Sequence, residues 1–323
     1  MINSVKPNLI VSDSRGAWFR ATILFILALI GTVGMWSVVV FIPDIEKEFG
    51  LDRGTSSLLY AFTMIGFGFG TVIIGKFYDK FGIKKPILLA TFVLITSYYF
   101  YSIFPFYWQF LILQFFMGFA ASAFFGPAMA DISNFFNKQR GFALSIVASA
   151  NYVAGATWPL LIGYFLTFID WRAAHFWISI CLFIMIPLIL LLKNASVDES
   201  KSHDMKQRYK DIRLDLSNNQ IQVLLMLAGI CCCVAMAMPQ VHMVALCVDN
   251  GFGLQVGTEI LAVMLYSGMI SRIVFGMISD RIGPVLTLLL GSFLQMVSLT
   301  FFLPFSSEIS LYVVSLMLSL IHS

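Results

Sequence analysis

The chain has 323 residues, of which 59% are hydrophobic and only 11% charged, with a mean hydropathy of +0.88. Those values exclude a soluble globular domain and describe a polytopic membrane protein. The formal charge of +3 is slight, and its basic residues are spread over connecting segments, which excludes nucleic acid as a partner.

No alternation of a β-barrel kind runs through the apolar segments, so the spans are predicted as α-helices. Residues 1 to about 20 are polar, with Lys6, Arg15 and Arg20, and lack a signal-peptide cleavage pattern; the first span is therefore predicted as an uncleaved start-transfer helix. Spans follow at Trp18 to Ile42, Thr55 to Phe77, Pro86 to Phe104, Trp108 to Ala130, Gly141 to Phe168 and Ala173 to Leu192. After a hydrophilic stretch from Lys193 to Asn219 come Gln220 to Val248, Val256 to Ile278, Val285 to Leu303 and an incomplete span from Glu308 to Ser323. Most exceed the roughly 20 residues needed to cross a bilayer. The expected organisation is a six-helix bundle over 1–192, a cytoplasmic linker over 193–219 with a surface helix near Met205 to Leu216, and an incomplete second bundle over 220–323. The five cysteines, Cys181, Cys231, Cys232, Cys233 and Cys247, sit inside apolar runs and read as small core residues.

With the N-terminus inside, alternate segments place 16 Lys and Arg on the cytoplasmic side and only Lys47, Arg53 and Arg172 on the other. That asymmetry predicts a cytoplasmic N-terminus and an inner or plasma membrane location. The densest charged interruption is GKFYDKFGIKK, from Gly75 to Lys85, and its spacing recurs 201 residues later in GMISDRIGP, from Gly276 to Pro284. Each copy closes the second hairpin of its half and reads as a membrane-edge turn, which argues for internal duplication. A duplicate of the first half calls for six helices. The chain, with about ten helices present, is expected to be truncated at its C-terminus relative to that architecture.

The repeated motif, the six-helix half and the basic linker together resemble the major facilitator superfamily of secondary transporters. The signature is carried by Gly75, Asp79, Lys80, Gly82, Lys84 and Lys85, and its second-half echo by Gly276, Asp280, Arg281 and Gly283. Within that superfamily, FFNKQRGFALSIVASA (Phe135 to Ala150), IDWRAAHFW near Ile169, PQVHMVALCVDNGFG and SRIVFGMISDRIG are similar to the monocarboxylate transporter and oxalate/formate antiporter group. The resemblance implies a two-bundle, all-α fold and alternating access. Two of the group's typical charged positions fall here on Trp36 and Gly268, so its proton-relaying Asp and Arg pair is not present in that form.

Candidate site residues follow. Arg272 is the one base expected inside a span, flanked at four residues on either side by Gly268 and Gly276, a small-residue stripe on which a carboxylate could dock bidentately. The competing reading pairs it with a carboxylate of another helix. His242, beside Pro239 and Gln240, reads either as a proton relay or as a hydrogen-bonded histidine between helices. His175 is expected at the interface. In the fifth span Ser145, Ser149 and Tyr152 share a face, with Asn151 beside them, fitted either to line a water-filled route or to pack. Gly66, Gly68 and Gly70, with Gly118, Ser122 and Gly126, read as close-packing positions. Asp79 and Asp280 are expected to hydrogen-bond helix N-termini and bases such as Arg140, holding a cytoplasmic gate.

The expected function is secondary active transport of a small organic anion of monocarboxylate type, coupled to a proton or a counter-anion, with the lipid bilayer as the other partner. A transporter-derived receptor and an inactive truncated product are the alternatives. No nucleophile, metal-ligand or phosphate-loop constellation appears, so neither an enzyme nor a cofactor is expected.

Overall fold

A computed structural model describes residues 13–192, 254–301 and 307–321, together with scattered positions between 217 and 252. Most of the 193–219 linker, its expected surface helix, most of the span from Gln220 to Val248, and His242 lie outside the described residues. Among the described residues all regular structure is helical. Among these residues seven helical stretches are long and apolar enough to cross a membrane: Arg15–Phe49, Arg53–Phe81, Lys84–Ile103, Tyr107–Ser133, Arg140–Phe165, Trp171–Leu191 and Val256–Ile282. A helix closes its own backbone hydrogen bonds, which is what a lipid solvent demands. The chain is a multi-pass membrane protein.

Two compact units divide the chain: Val11–Asn194 with Arg272–Arg281, and Ala195–Ser271 with Ile282–Ser323 and Met1–Ile10. In the first unit α1 (Arg15–Gly31) and α2 (Val33–Phe49) form one broken span, followed by α3 (Arg53–Phe81) and α4 (Lys84–Ile103). A second set of three spans runs through α5 (Tyr107–Ala121) and α6 (Gly126–Ser133), then α7 (Arg140–Phe165), then α8 (Trp171–Cys181) and α9 (Met185–Leu191). The first span packs on α7 and α3 packs on α5, an exchange of partners that fits a three-plus-three repeat.

The first span of each set is interrupted midway, for local reasons. At Gly31 there is no room for a Cβ because the Phe124 ring lies against it. The next residue, Thr32, turns its hydroxyl back to the Ala28 carbonyl at 2.7 Å. Across from it, Ser122–Phe124 tightens to a 3-10 turn before Pro127, which cannot donate to the preceding turn. Pro187 acts in the same way on Leu182–Ile184, between α8 and α9. Helices α3 and α5 approach so closely that a Cβ on Gly66, Gly70 or Gly118 would run into the facing backbone. Gly68 and Gly126 meet open space instead, so two of the expected packing glycines are not packing positions.

Three further expectations are corrected. The Gly75 and Gly276 motifs are mostly helix and not turns throughout: helices run through Phe81 and Ile282, and the turn in each motif is confined to a short link at Gly82 (φ 72°) or Gly283 (φ 87°). Positive φ at both links is what glycine tolerates, and long basic side chains let a helix carry charge past the lipid edge. Arg20 is not part of a polar arm. Ser14 caps α1, its hydroxyl accepting from the Ala17 amide at 3.3 Å, so Arg20 lies inside the helix and only 4% exposed. It is gripped bidentately by Asp131, at 2.5 and 2.9 Å, and lies over the Phe135 ring. Nor is His175 interfacial: it is fully buried, stacked on Tyr101 at 4.3 Å and against Phe41 at 4.0 Å. Its Nδ1 faces the Trp171 carbonyl at 2.7 Å, while Nε2 has no hydrogen-bond partner among the described residues.

At the opposite end of this unit from Arg20, Glu48 accepts from the Trp171 indole at 2.9 Å and from Arg172 at 2.6 Å. Arg172 also donates to the Phe104 carbonyl at 2.7 Å, tying the ends of α2, α4 and α8 together. Asp52 caps α3 by accepting from the Thr55 amide at 2.7 Å, and hydrogen bonding to Thr55 holds its carboxyl below the usual carboxylate range. The cap's contribution is therefore complete above the unfolded carboxylate pKa of ~3.9 and is lost as pH falls through the lower folded value.

The second unit holds residues 254–271 of α10 (Leu254–Ile282), then α11 (Pro284–Thr300) and α12 (Glu308–Ile321). Met243, Cys247, Ile260 and Leu311 form a buried cluster there. Tyr312 donates to Glu259 at 3.1 Å, and the Ser319 hydroxyl donates to the Met264 carbonyl.

The Arg20 and Asp131 pair makes a clear prediction. Arg20→Met or Asp131→Asn alone leaves a buried charge without its partner, at a cost of about 3–5 kcal/mol. Thermal unfolding in detergent, followed by intrinsic fluorescence, should show a large fall in Tm for each. The double variant R20M/D131L should recover most of that loss.

Candidate functional site

Helix α7 starts without a cap of its own, since Gln139 makes no side-chain capping hydrogen bond. The first amides of a helix have no intrahelical partner and must be satisfied from elsewhere. Here the partner comes from α10: Asp280 accepts from the Gly141 amide at 2.8 Å and the Phe142 amide at 3.0 Å. A carboxylate at this end also complements the positive pole of the helix. Just upstream, Asp13 faces the amides of Asn137, Lys138 and Gln139 at 3.3–3.5 Å, and its own amide donates to the Phe135 carbonyl at 3.0 Å.

The carboxylate reaches because the two backbones are nearly touching. A Cβ built on Gly141 would lie 2.7 Å from the Gly276 carbonyl oxygen, and one on Gly276 would strike Ser145 and, at 2.9 Å, the Gly141 carbonyl. Arg272, Gly276 and Asp280 recur every fourth residue of α10 and so share one face. They meet Tyr152, the Gly141 to Ser145 turn, and the α7 N-terminus in that order.

Arg272 is half-buried. Its guanidinium carbon lies 4.4 Å from the centre of the Tyr152 ring, and one of its terminal nitrogens donates to the Tyr152 hydroxyl at 3.3 Å. A cation over an aromatic face in a partly desolvated place gains about 2 kcal/mol. Among the described residues no Asp or Glu is within ion-pair distance of Arg272.

Tyr152 is thus joined to Arg272, whereas the adjacent Asn151 points to another neighbour. Its Oδ1 accepts from the Trp36 indole at 3.0 Å, and the Trp36 ring fills the notch left by Gly155. Ser149 is buried and donates to the Ile146 carbonyl of its own helix at 2.6 Å. Of the gate residues, Arg140 opens α7, Gly75, Asp79 and Lys80 lie in the last turns of α3, Lys84 opens α4, and Arg281 lies in the last turn of α10. Asp79, the counterpart of Asp280, is exposed and makes no hydrogen bond or ion pair among the described residues. Among these residues no group of three or more His, Cys, Asp or Glu could hold a metal ion.

Sequence reasoning passed over Asp131, although an acid in the apolar run PAMADIS was a visible signal of a buried pair. It also passed over Asp13 and the Trp36 to Asn151 bond. Nothing in the local pattern signals either of these, because each depends on segments more than a hundred residues apart.

Comparison with known proteins agrees with this architecture. The family model of the Major Facilitator Superfamily matches residues 24–323. The MFS-type transporter pynF of Aspergillus niger is 26% identical over 221 residues, 66% of this chain and 49% of its own. The agnestins efflux protein AgnL12 of Paecilomyces divaricatus is 24% identical over 252 residues, covering 76% of this chain and 56% of its own. The inner membrane transport protein YnfM of Escherichia coli is 23% identical over 172 residues, covering 52% and 41%. The chain spans about half the length of these curated relatives. A family match over nearly all of its residues, joined to broken first and fourth spans and a duplicated glycine and aspartate motif, shows that the chain belongs to the Major Facilitator Superfamily.

Proposed function

We propose that the protein is a secondary transporter of a small organic anion, of monocarboxylate type, working by alternating access with its N-terminus in the cytoplasm. The observation that carries the reading is Arg272: a guanidinium within an apolar helix, stacked on Tyr152 and facing no carboxylate among the described residues. Placing such a charge in a membrane costs at least ~2.5 kcal/mol, a cost offset when an anionic ligand docks on it. A planar carboxylate fits the guanidinium fork bidentately while Tyr152 holds the other face. The resemblance to the monocarboxylate and oxalate/formate group favours the same ligand class. Asn151 and Ser149, on α7 beside Tyr152, are proposed to join this site, and the efflux protein among the relatives favours outward movement of an organic product.

In this reading Asp280 and the Gly141 and Gly276 crossing form the gate, with Arg140, Gly75, Asp79, Lys80, Gly82, Lys84, Arg281 and Gly283 around it. While the carboxylate caps α7, that end stays shut; moving α10 exposes two amides and loses a cap of about 1 kcal/mol. That is small enough for a ligand to overcome.

Two measurements test the proposal. Uptake of labelled short-chain monocarboxylates into proteoliposomes should fall at least ~10-fold in Arg272→Ala, equal to ~1.4 kcal/mol, and be partly kept in Arg272→Lys. Equal uptake in R272A would remove the role. For the gate, Phe142→Cys in a background without the five native cysteines reports access from the cytoplasmic side to an impermeant maleimide. Labelling should rise several-fold when Asp280→Ala is added and stay low with Asp280→Asn, which keeps one acceptor oxygen; equal labelling in all three would end the gate reading.

A further inference from the structure

We infer that the outside of the first unit carries a binding groove for an anionic glycerophospholipid, separate from the proposed transport site. The groove has a volume of 520 Å³ and lies between α4 and the α8 to α9 connection. Leu88, Leu89, Phe92 and Ile95 line one wall and Phe183 and Ile186 the other, and Lys85 stands at one end. Leu88, Leu89, Phe92 and Phe183 are all exposed, so the lining is open on the outside of the unit. From Lys85 to Ile95 the helix advances ten residues, about 15 Å at 1.5 Å per residue. That is half of a hydrocarbon core of about 30 Å, the depth of one leaflet. A channel of this length, apolar along its floor and cationic at one mouth, matches an acyl chain joined to a phosphate.

The charge at the mouth supports the occupant's sign. Lys85 and Lys80 both place their ammonium groups over the Phe81 ring, at 4.7 and 5.3 Å from its centre. One ring therefore gathers two cations that repel each other, and among the described residues neither has a carboxylate partner. Lys84, the first residue of α4, adds a third. The N-cap position Ile83 provides no side-chain cap, leaving the positive pole of the helix at the same mouth. A phosphate diester set among these groups relieves the repulsion, and its acyl chain covers the exposed leucines. A zwitterionic lipid would bring a compensating cation to a place already crowded with them, so the groove selects for net negative charge.

The test uses the full chain in mixed micelles, with phosphatidylglycerol and phosphatidylcholine of identical acyl chains as probes and native mass spectrometry as the readout. The wild type should retain phosphatidylglycerol several-fold over phosphatidylcholine. In K80Q/K85Q the preference for phosphatidylglycerol should fall several-fold, because the groove remains while two of the three ammonium groups at its mouth are gone. Leu89→Trp, a surface change that fills the groove, should lower retention of both, with helix content by circular dichroism unchanged. Equal retention of the two lipids by the wild type, an undiminished preference in K80Q/K85Q, or a protein dimer that L89W abolishes would overturn the proposal. The last of these would assign the groove to a second copy of the chain. None of these outcomes depends on transport, so the lipid site and the transport reading stand or fall separately.

Discussion

The start of α7 is the constraint on which much of the first unit depends. A 26-residue helix begins there without a side-chain cap of its own, at Arg140 and Gly141. Its first amides are satisfied from α10 through Asp280, while the connector before it is held by Asp13, 124 or more residues away in sequence. A helix end satisfied locally would be indifferent to its neighbours. Satisfied at a distance, it ties the segment before α1, the α6 to α7 connection and the end of α10 to one place. The glycines at 141 and 276 are a consequence: the carboxylate reaches those amides only if two backbones come within a side chain's width.

Among the described residues, polar and charged groups well inside the spans are treated in two ways. Arg20 and Asp131 answer each other completely, with two hydrogen bonds and almost no exposure. Trp36 and Asn151 satisfy each other as neutral groups. Such fully paired sites define which helices are neighbours but have no reason to change during a working cycle, since separating them strands a buried charge. Arg272 differs because what faces it is an aromatic ring and a neutral hydroxyl. A cation held by a quadrupole keeps its charge available to an anion, and in that respect a Tyr at position 152 suits a binding site better than a Glu would.

How much of this was legible in the sequence depends on the range of the interaction. Spans were readable because twenty apolar residues in succession have few other fates, and the duplicated motif was readable because its spacing is local. The direction of the Asp280 interaction, toward a helix N-terminus, followed from the general chemistry of an acid beside orphan amides. The secondary structure of the motif was misjudged: charge density suggested a turn, yet Asp79 and Lys80 sit on a helix that simply continues beyond the apolar stretch. Arg20 was misplaced for the related reason that the helix start at Ser14 lies six residues before it, inside a stretch that composition alone marks as polar. His175 was misjudged because burial depends on Phe41 and Tyr101, contributed by two other spans. The breaks at Thr32 and at Ser122–Phe124 could be half-read, from Pro127 but not from Gly31, whose role appears only with the Phe124 ring against it.

The arrangement along α10 bears on how binding and gating would be linked. Arg272 and Asp280 are eight residues apart, about 12 Å, on one face of a continuous helix. Both face α7, Arg272 at Tyr152 and Asp280 at the first turn, with the glycine crossing between them. A helix segment of two turns is stiff over such a length, so a displacement of Arg272 away from Tyr152 is carried to Asp280 nearly undiminished. In the proposed cycle an anion that draws the guanidinium off the ring therefore also pulls the carboxylate from the α7 amides. No chain of intermediate side chains is needed for that coupling, because the same rigid element holds both groups. The small residue at 276 then has a second consequence: a side chain there would hold the helices apart at the crossing and weaken both ends together.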